Sequence, residues 1–294
     1  MKYIIALFLM FTCNSYALDL FDTDKSFRMS LMYNSRQGSS FYNMEGNIKT
    51  SLTETDDEGV ERDYTFDFSK YSIGLSAEYR PGKHVSIYTE IPFAFYGLTE
   101  KFMMESDLSR QVRAELSLSR FDYFALGFVH RLYSGKSQIF SVLELRIPPG
   151  FDESLLNDPD YEFLSDGAFE IYAGSMFRAD LDKVRLQTRI LYNYRAEEFS
   201  DRVIISTSAG LVSVEDTELK VTADIVQSLS SFGDAPAFDP RETVTQSNFV
   251  AAGFGFDWLL SEKYLANFSY KVRLSGKNAW NFGTLFLSIG VLAD

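Results

Sequence analysis

Side chains able to do catalytic chemistry are scarce in this sequence, and the best-placed pair is His84 and Ser86. The chain has two histidines and one cysteine, and it has no His-Glu-x-x-His, Walker or glycine-rich dinucleotide motif. A strand would place His84 and Ser86 on one face, as a serine hydrolase built on a sheet requires. Because His84 follows the tight turn Arg80-Pro81-Gly82-Lys83, an ordinary rim histidine is favoured, and we predict no catalytic residue and no cofactor.

Two acidic segments contain the residue types that bind divalent cations. They are Glu54, Asp56, Asp57, Glu58, Glu61 and Asp63 in the first segment, and Asp152, Glu153, Asp158, Asp160 and Glu162 in the second. The first segment resembles a calcium loop before Gly59, but Thr65 stands where that loop needs a bidentate acid. Solvated loops are therefore favoured, and we predict no defined metal site. Both segments could still bind cations that bridge lipid phosphates.

The residues most informative about the fold lie at positions 184–194. The apolar or aromatic set at every second position is Val184, Leu186, Thr188, Ile190, Tyr192 and Tyr194, and the polar set between them is Arg185, Gln187, Arg189 and Asn193. A strand alternates its side chains between two faces, so one face here is apolar and the other polar. The pattern recurs about a dozen times, and it predicts an all-β, transmembrane, antiparallel up-and-down β-barrel whose apolar faces contact lipid.

Twelve strands account for this pattern. They are predicted at 26–34, 67–79, 84–96, 119–133, 138–148, 168–178, 184–194, 202–213, 218–228, 248–260, 264–274 and 282–292. Loops at 35–66, 97–118, 149–167 and 229–247 are longer than the turns between them, as in outer-membrane barrels with short periplasmic turns. Segments 41–53 and 107–118 also alternate, so ten or fourteen strands are open, although hairpin extensions above the membrane are favoured.

An export signal precedes the barrel pattern. Lys2 is followed by an apolar run over residues 3–11, and Ser15-Tyr16-Ala17 forms a cleavage site, so residues 1–17 are a predicted signal peptide. The remaining residues, 18–294, form one predicted domain in the outer membrane of a Gram-negative cell. Cleavage removes Lys2 and no acid, which changes the formal charge from −13 to −14. This acidic balance argues against nucleic acid as a partner.

A set of charged residues falls on the predicted inner face of the barrel. Its members are Arg28, Glu78, Glu90, Glu144, Arg146, Glu170, Arg185, Arg189, Asp224, Asp257, Lys271 and Arg273, joined by Arg131, Arg178, Arg202 and Lys220. In the favoured interpretation these charges pair across strands, as buried charges must in a narrow barrel. In the alternative they form a conduit that favours anions, because ten cations face six acids.

Pro92 lies inside an otherwise regular predicted strand. Proline cannot donate a hydrogen bond to the strand ladder, so a closed barrel must accommodate it by a bulge, a kink or a local gap. A bulge at the extracellular rim is slightly favoured. A lateral gate, at which the wall opens toward the bilayer, is the alternative.

Two segments carry a resemblance to a known family. They are Tyr79-Arg80-Pro81-Gly82-Lys83 with the Ile91-Pro92-Phe93 strand after it, and Leu145-Arg146-Ile147-Pro148-Pro149-Gly150 with Ser165-Asp166-Gly167 opening the next strand. In these segments the chain resembles the outer-membrane barrels associated with the MetA pathway of phenol degradation. More distantly, it is similar to the long-chain fatty-acid and aromatic-hydrocarbon transporters. The resemblance implies passive uptake of hydrophobic small molecules, in the latter families through a wall opening beside a kinked strand.

Three functions follow as expectations. A passive, porin-like channel or transporter for small hydrophobic or aromatic molecules is favoured over a non-conducting structural or surface-interaction barrel. A barrel-wall lipid hydrolase is a distant third. The expected partners are outer-membrane lipid and lipopolysaccharide, the barrel-assembly machinery and small hydrophobic solutes.

Overall fold

The computed structural model describes residues 25–55, 61–103, 110–149, 169–196, 200–213, 217–229 and 247–294. Its strands are β1 (Phe27–Tyr42), β2 (Ile48–Lys49), β3 (Leu52–Thr55), β4 (Glu61–Gly82), β5 (Val85–Met103), β6 (Arg110–Phe121), β7 (Phe124–Tyr133), β8 (Ser137–Ile147), β9 (Glu170–Leu181), β10 (Val184–Arg195), β11 (Arg202–Ser213), β12 (Thr217–Ser228), β13 (Asn248–Ser261), β14 (Tyr264–Lys277) and β15 (Ala279–Ala293). Within the described ranges, no helix is long and apolar enough to cross a membrane. The predicted signal peptide lies outside these ranges.

Twelve of the strands form a closed antiparallel wall. From β7 to β15 each strand pairs with the next along the chain, and β15 pairs back onto β1. β1 then pairs with β4, β4 with β5, and β5 with β7, which completes the circle. The predicted up-and-down barrel of about twelve strands is therefore confirmed.

The three remaining strands extend the wall. β2 pairs with the end of β1, β3 pairs with the start of β4, and β6 pairs with the second half of β5. They cover much of the segments 41–53 and 107–118, whose alternation left ten or fourteen strands open. The described parts of these segments therefore add strands to the wall without changing the twelve that close it, and their position above the membrane stays a prediction.

The two ends of the barrel differ in their connections. Tight turns join β4 to β5, β7 to β8, β9 to β10 and β13 to β14, and the chain termini of the wall lie at the same end. In the β9–β10 turn Asp182 has a φ of 56°, the left-handed backbone that two-residue hairpins require. We call this the hairpin end and the opposite end the loop end. At the loop end the β8–β9 and β12–β13 connections are longer, whereas Asn278 alone joins β14 to β15.

The outer face of the wall is apolar. Ile190 is 52% exposed and Phe254 is 54% exposed, whereas Asn193 on the inner face is fully buried. Water does not favour an apolar band that runs around a whole barrel, but lipid does. The alternation that predicted the strands is thus also the alternation between the two faces of the wall.

Candidate functional site

The wall is irregular where β5 passes Pro92. On the hairpin-end side of Pro92, Glu90 pairs with Ala125 of β7. On the loop-end side, Phe93 pairs with Phe121 of β6. Between these two pairs β5 has two residues, 91 and 92, whereas the segment beside it has three, 122–124. This is the arrangement of a β-bulge. The backbone N–H of Asp122 donates a 2.9 Å hydrogen bond to the carbonyl of Pro92, so the proline keeps one contact to this neighbour. We call this place the wall break.

A second sequence feature acts at the same level of the wall. β8 follows β7 up to the pair formed by Phe124 and Ile147, and Pro148 and Pro149 come next. Neither proline can donate a ladder hydrogen bond, so β8 cannot continue its pairing along β6. Among the described strands, β6 pairs with β5 alone. The seam between β7 and β8 therefore has no continuation between β6 and β8 on the loop-end side of the wall break.

Several of the predicted inward charges lie in ion pairs, most of which join two strands, although Arg146 and Glu144 both belong to β8. Joined pairs include Arg28 with Glu78 at 2.6 Å, Arg146 with Glu144 at 2.5 Å, Arg195 with Glu170 at 2.9 Å, Lys220 with Asp257 at 2.5 Å, Lys271 with Asp224 at 2.7 Å, and Arg185 with Glu218 at 2.8 Å. This is the geometry of the structural interpretation. A conduit for anions stays a prediction.

Arg146 is the centre of a larger buried network. Its guanidinium lies 4.8 Å from the ring centroid of Tyr123 and 4.6 Å from that of Tyr172. Its partner Glu144 also accepts a hydrogen bond from the hydroxyl of Tyr88. Glu90 accepts a 3.2 Å hydrogen bond from Tyr123, which is itself a residue of the wall break. The network therefore ties the inner side of the wall break to the wall formed by β8 and β9.

Arg273 occupies a different setting. Its guanidinium lies 3.8 Å from the ring centroid of Phe249 and 4.2 Å from that of Phe282, and it donates a 2.5 Å hydrogen bond to the carbonyl of Trp280. Stacking of this kind stabilises a desolvated guanidinium. This predicted inward cation thus belongs to an aromatic part of the interior.

An aromatic cluster fills part of the interior near the loop end, which the sequence did not predict. One buried cluster there consists of Phe41, Tyr64, Phe66, Phe68, Leu98, Trp280 and Phe282. Phe68 stacks on Trp280 with ring centroids 5.4 Å apart. The signal that could have shown this is the alternation of side chains along β4. Residues 64, 66 and 68 fall on the same, inward face as Ser72 and Ser76. The predicted polar interior is therefore interrupted near the loop end by this aromatic cluster.

Two of the cavities lined by described residues lie inside the barrel. The larger, of about 70 Å³, is lined by residues of β9 to β15, and the predicted inward residues among them are Arg178, Arg185, Arg189, Lys220, Asp224, Asp257 and Lys271. The smaller, of about 20 Å³, lies on the inner side of the wall break, with Gly74, Pro92, Asp122 and Tyr123 in its lining. We call them the polar cavity and the wall-side cavity.

His84 and Ser86, the pair with possible catalytic chemistry, lie in different surroundings. Ser86 is buried and donates a hydrogen bond to Glu78, whereas His84 is exposed beside the turn that starts β5. Among the described residues, no group of three or more histidine, cysteine or acidic side chains could hold a metal ion. The second acidic segment and the middle of the first lie outside the described residues.

Comparison with known proteins identifies structural neighbours only. No protein-family model matches the sequence, and no curated protein matches it. The COG4313 outer membrane channel from Pseudomonas putida F1 has a TM-score of 0.62 at 9% identity, with 91% of this chain and 95% of that chain covered. The P. putida toluene transporter TodX has a TM-score of 0.50 at 7% identity, with 95% and 92% covered. The likeness is one of fold, and it agrees with the predicted resemblance to outer-membrane barrels that carry aromatic compounds.

Proposed function

We propose that the protein is an outer-membrane channel through which small hydrophobic or aromatic molecules pass passively. The observation that carries this proposal is the wall-side cavity, which lies directly behind the wall break. An apolar solute dissolved in the bilayer would enter where Pro92 weakens the wall, and then reach this cavity. The two structural neighbours, a channel and a toluene transporter, support transport as the class of function.

The same proposal accounts for the location and partners of the chain. Residues 1–17 would direct export and be removed, and the barrel-assembly machinery would insert residues 18–294. The apolar outer face would contact lipid and lipopolysaccharide, with the hairpin end in the periplasm. Cations held by the acidic loop segments would bridge lipid phosphates at the opposite surface.

Uptake of toluene into vesicles that contain the purified protein tests the proposal. Pro92→Val restores the missing N–H donor, so the wall should close and toluene uptake should fall, while a small hydrophilic sugar should be unaffected. Pro81→Val is the matched control, because Pro81 is an exposed proline at the hairpin end of β4, away from the wall break. No uptake above empty vesicles by the unsubstituted protein would refute the channel. Unchanged uptake by an inserted Pro92→Val protein would refute the route through the wall.

A non-conducting barrel is the second candidate function. It is favoured by the dense interior, in which Arg28, Glu144 and Arg146 are at most 1% exposed. Planar-bilayer recordings and toluene uptake distinguish the two candidates, since a structural barrel would be silent in both measurements.

A further inference from the structure

The polar cavity is built to hold water. Three polar atoms in its lining are buried and lack a hydrogen-bond partner in the protein: the hydroxyl oxygens of Ser206 and Thr222 and one carboxylate oxygen of Asp224. Buried polar atoms of this kind are costly unless water satisfies them. One water needs about 10–15 Å³ of cavity, so a cavity of about 70 Å³ has room for several. We conclude that the hairpin half of the interior is hydrated.

Phe286 separates this hydrated space from the wall-side cavity. Among the described residues that line the two cavities, it is the one that they share. Phe286 lies near the middle of β15, paired with Asn34 of β1 and Ser269 of β14. Its side chain is 5% exposed and packs against Met32, which is also 5% exposed. An apolar contact therefore stands where the two cavities would otherwise meet.

We propose that Phe286, packed against Met32, is the constriction that determines which solutes cross the barrel. This proposal rests on the channel function proposed above. A hydrophobic constriction excludes ions and sugars, because they would have to lose hydration in passing the side chains of Phe286 and Met32, which offer no polar partner. An apolar solute loses little hydration there, and it can replace the contact between Phe286 and Met32 with its own contacts. Movement of one side chain would then join the wall-side cavity to the polar cavity.

The contact also explains how one barrel can combine a wet half with selectivity for apolar molecules. The ion-paired polar residues keep the hairpin half open to water, so a solute that passes Phe286 can leave toward the periplasm. Without the constriction, water would connect both cavities, and the wall break would become a leak for small polar molecules. Phe286 therefore sets specificity by exclusion.

The test compares Phe286→Ala with Phe254→Ala in planar bilayers and in vesicle-swelling assays with arabinose. Phe254 is a matched control because it is a phenylalanine on the lipid-facing side of β13. Phe286→Ala should raise potassium chloride conductance and arabinose permeation several-fold, whereas Phe254→Ala should stay at the level of the unsubstituted protein. Phe286→Trp should keep both low, since the bulkier ring retains the apolar seal.

Each outcome bears separately on the two proposals. Arabinose permeation by Phe286→Ala no higher than that of the unsubstituted protein would overturn the constriction, even if toluene uptake establishes the channel. Equal and high arabinose permeation by Phe286→Ala and Phe254→Ala would also overturn the constriction. Absence of toluene uptake by the unsubstituted protein, together with a leak in Phe286→Ala, would refute the channel but support the constriction. If Phe286→Ala does not insert, Met32→Ala removes the other half of the contact and is measured in its place, with the same expected leak.

Discussion

Arg28 donates a 2.6 Å hydrogen bond to Glu78 across the seam between β1 and β4, where the two residues are direct partners in the register. Arg28 is 1% exposed and Glu78 is 3% exposed. The hydroxyl of Ser86 on β5 donates a second hydrogen bond to Glu78. The carboxylate thus joins three wall strands next to the point where β1 also pairs with β15 and closes the barrel.

The first prediction concerns this pair. Arg28→Met should destabilise the barrel by about 3–5 kcal/mol, because it leaves the buried charge of Glu78 without its cation. The double change Arg28→Met and Glu78→Leu should recover most of that loss, since no charge is then left buried. Urea unfolding of the protein in lipid vesicles measures both. Lys25→Met is the control, because its partner Asp294 is exposed. A double variant less stable than Arg28→Met alone would contradict the prediction.

The sequence predicted the wall well, for a physical reason. A lipid-facing strand must be apolar at every second position, so the alternation at 184–194 predicts both the strand β10 and its outer face. The predicted strand at 119–133 is less exact, because the structure divides it into β6 and β7 at Asp122 and Tyr123. That division lies opposite Pro92 of β5, and alternation within one segment does not show which residues of another strand will lie beside it.

The interior was less predictable. Alternation identifies the outer face by its apolar residues, and near the loop end of β4 this polarity is reversed, because the exposed residues there are Glu61, Asp63 and Asp67. Phe66 and Phe68 therefore gave no inward signal, although they are buried in the aromatic cluster. Phe286 lies in a predicted strand, but its contact with Met32 depends on the closure of β15 onto β1. Such contacts follow from the register between β1 and β15, which cannot be read from the alternation within either strand.

The second prediction tests the two faces of β10 at neighbouring positions. Ile190→Arg places a charge on the lipid-facing side, where it should cost about 2–4 kcal/mol near the midplane. Arg189→Ile changes a residue that lines the polar cavity, and it should be milder. The folded fraction after dilution from urea into lipid vesicles measures both. Equal folding yields for the two variants would count against the assignment of the faces.

A third prediction concerns Gly127, which faces Tyr88 across the β5–β7 seam. The ring of Tyr88 occupies the space that a Cβ on Gly127 would need, and its hydroxyl reaches Glu144 beyond it. Gly127→Val should therefore displace the ring and cost about 1–3 kcal/mol, as overpacking does. Gly82→Val is the control in the same urea unfolding measurement, because a Cβ on Gly82 meets nothing within 4 Å. Equal losses in the two variants would show that packing against Tyr88 is not the cause.

The last prediction concerns Arg146, which lies between the rings of Tyr123 and Tyr172. Arg146→Lys keeps the charge and can keep the ion pair with Glu144, but an ammonium cannot stack on two rings as a planar guanidinium does. A desolvated cation–π contact contributes about 2 kcal/mol, so the variant should lose a measurable part of the free energy of unfolding even though the charge is conserved.

Arg185→Lys is the matched control for this change. Arg185 holds Asp180 and Glu218 through ion pairs of 2.8 Å each, and a lysine can make ion pairs of the same kind. Urea unfolding should therefore separate the two variants, with Arg146→Lys clearly the less stable. Because Tyr123 belongs to the wall break, Arg146→Lys should also loosen the wall there and expose the backbone amide of Asp122 to faster hydrogen exchange. Equal stability of the two variants, with unchanged exchange at Asp122, would mean that the ion pair with Glu144, and not the stacking, makes Arg146 important.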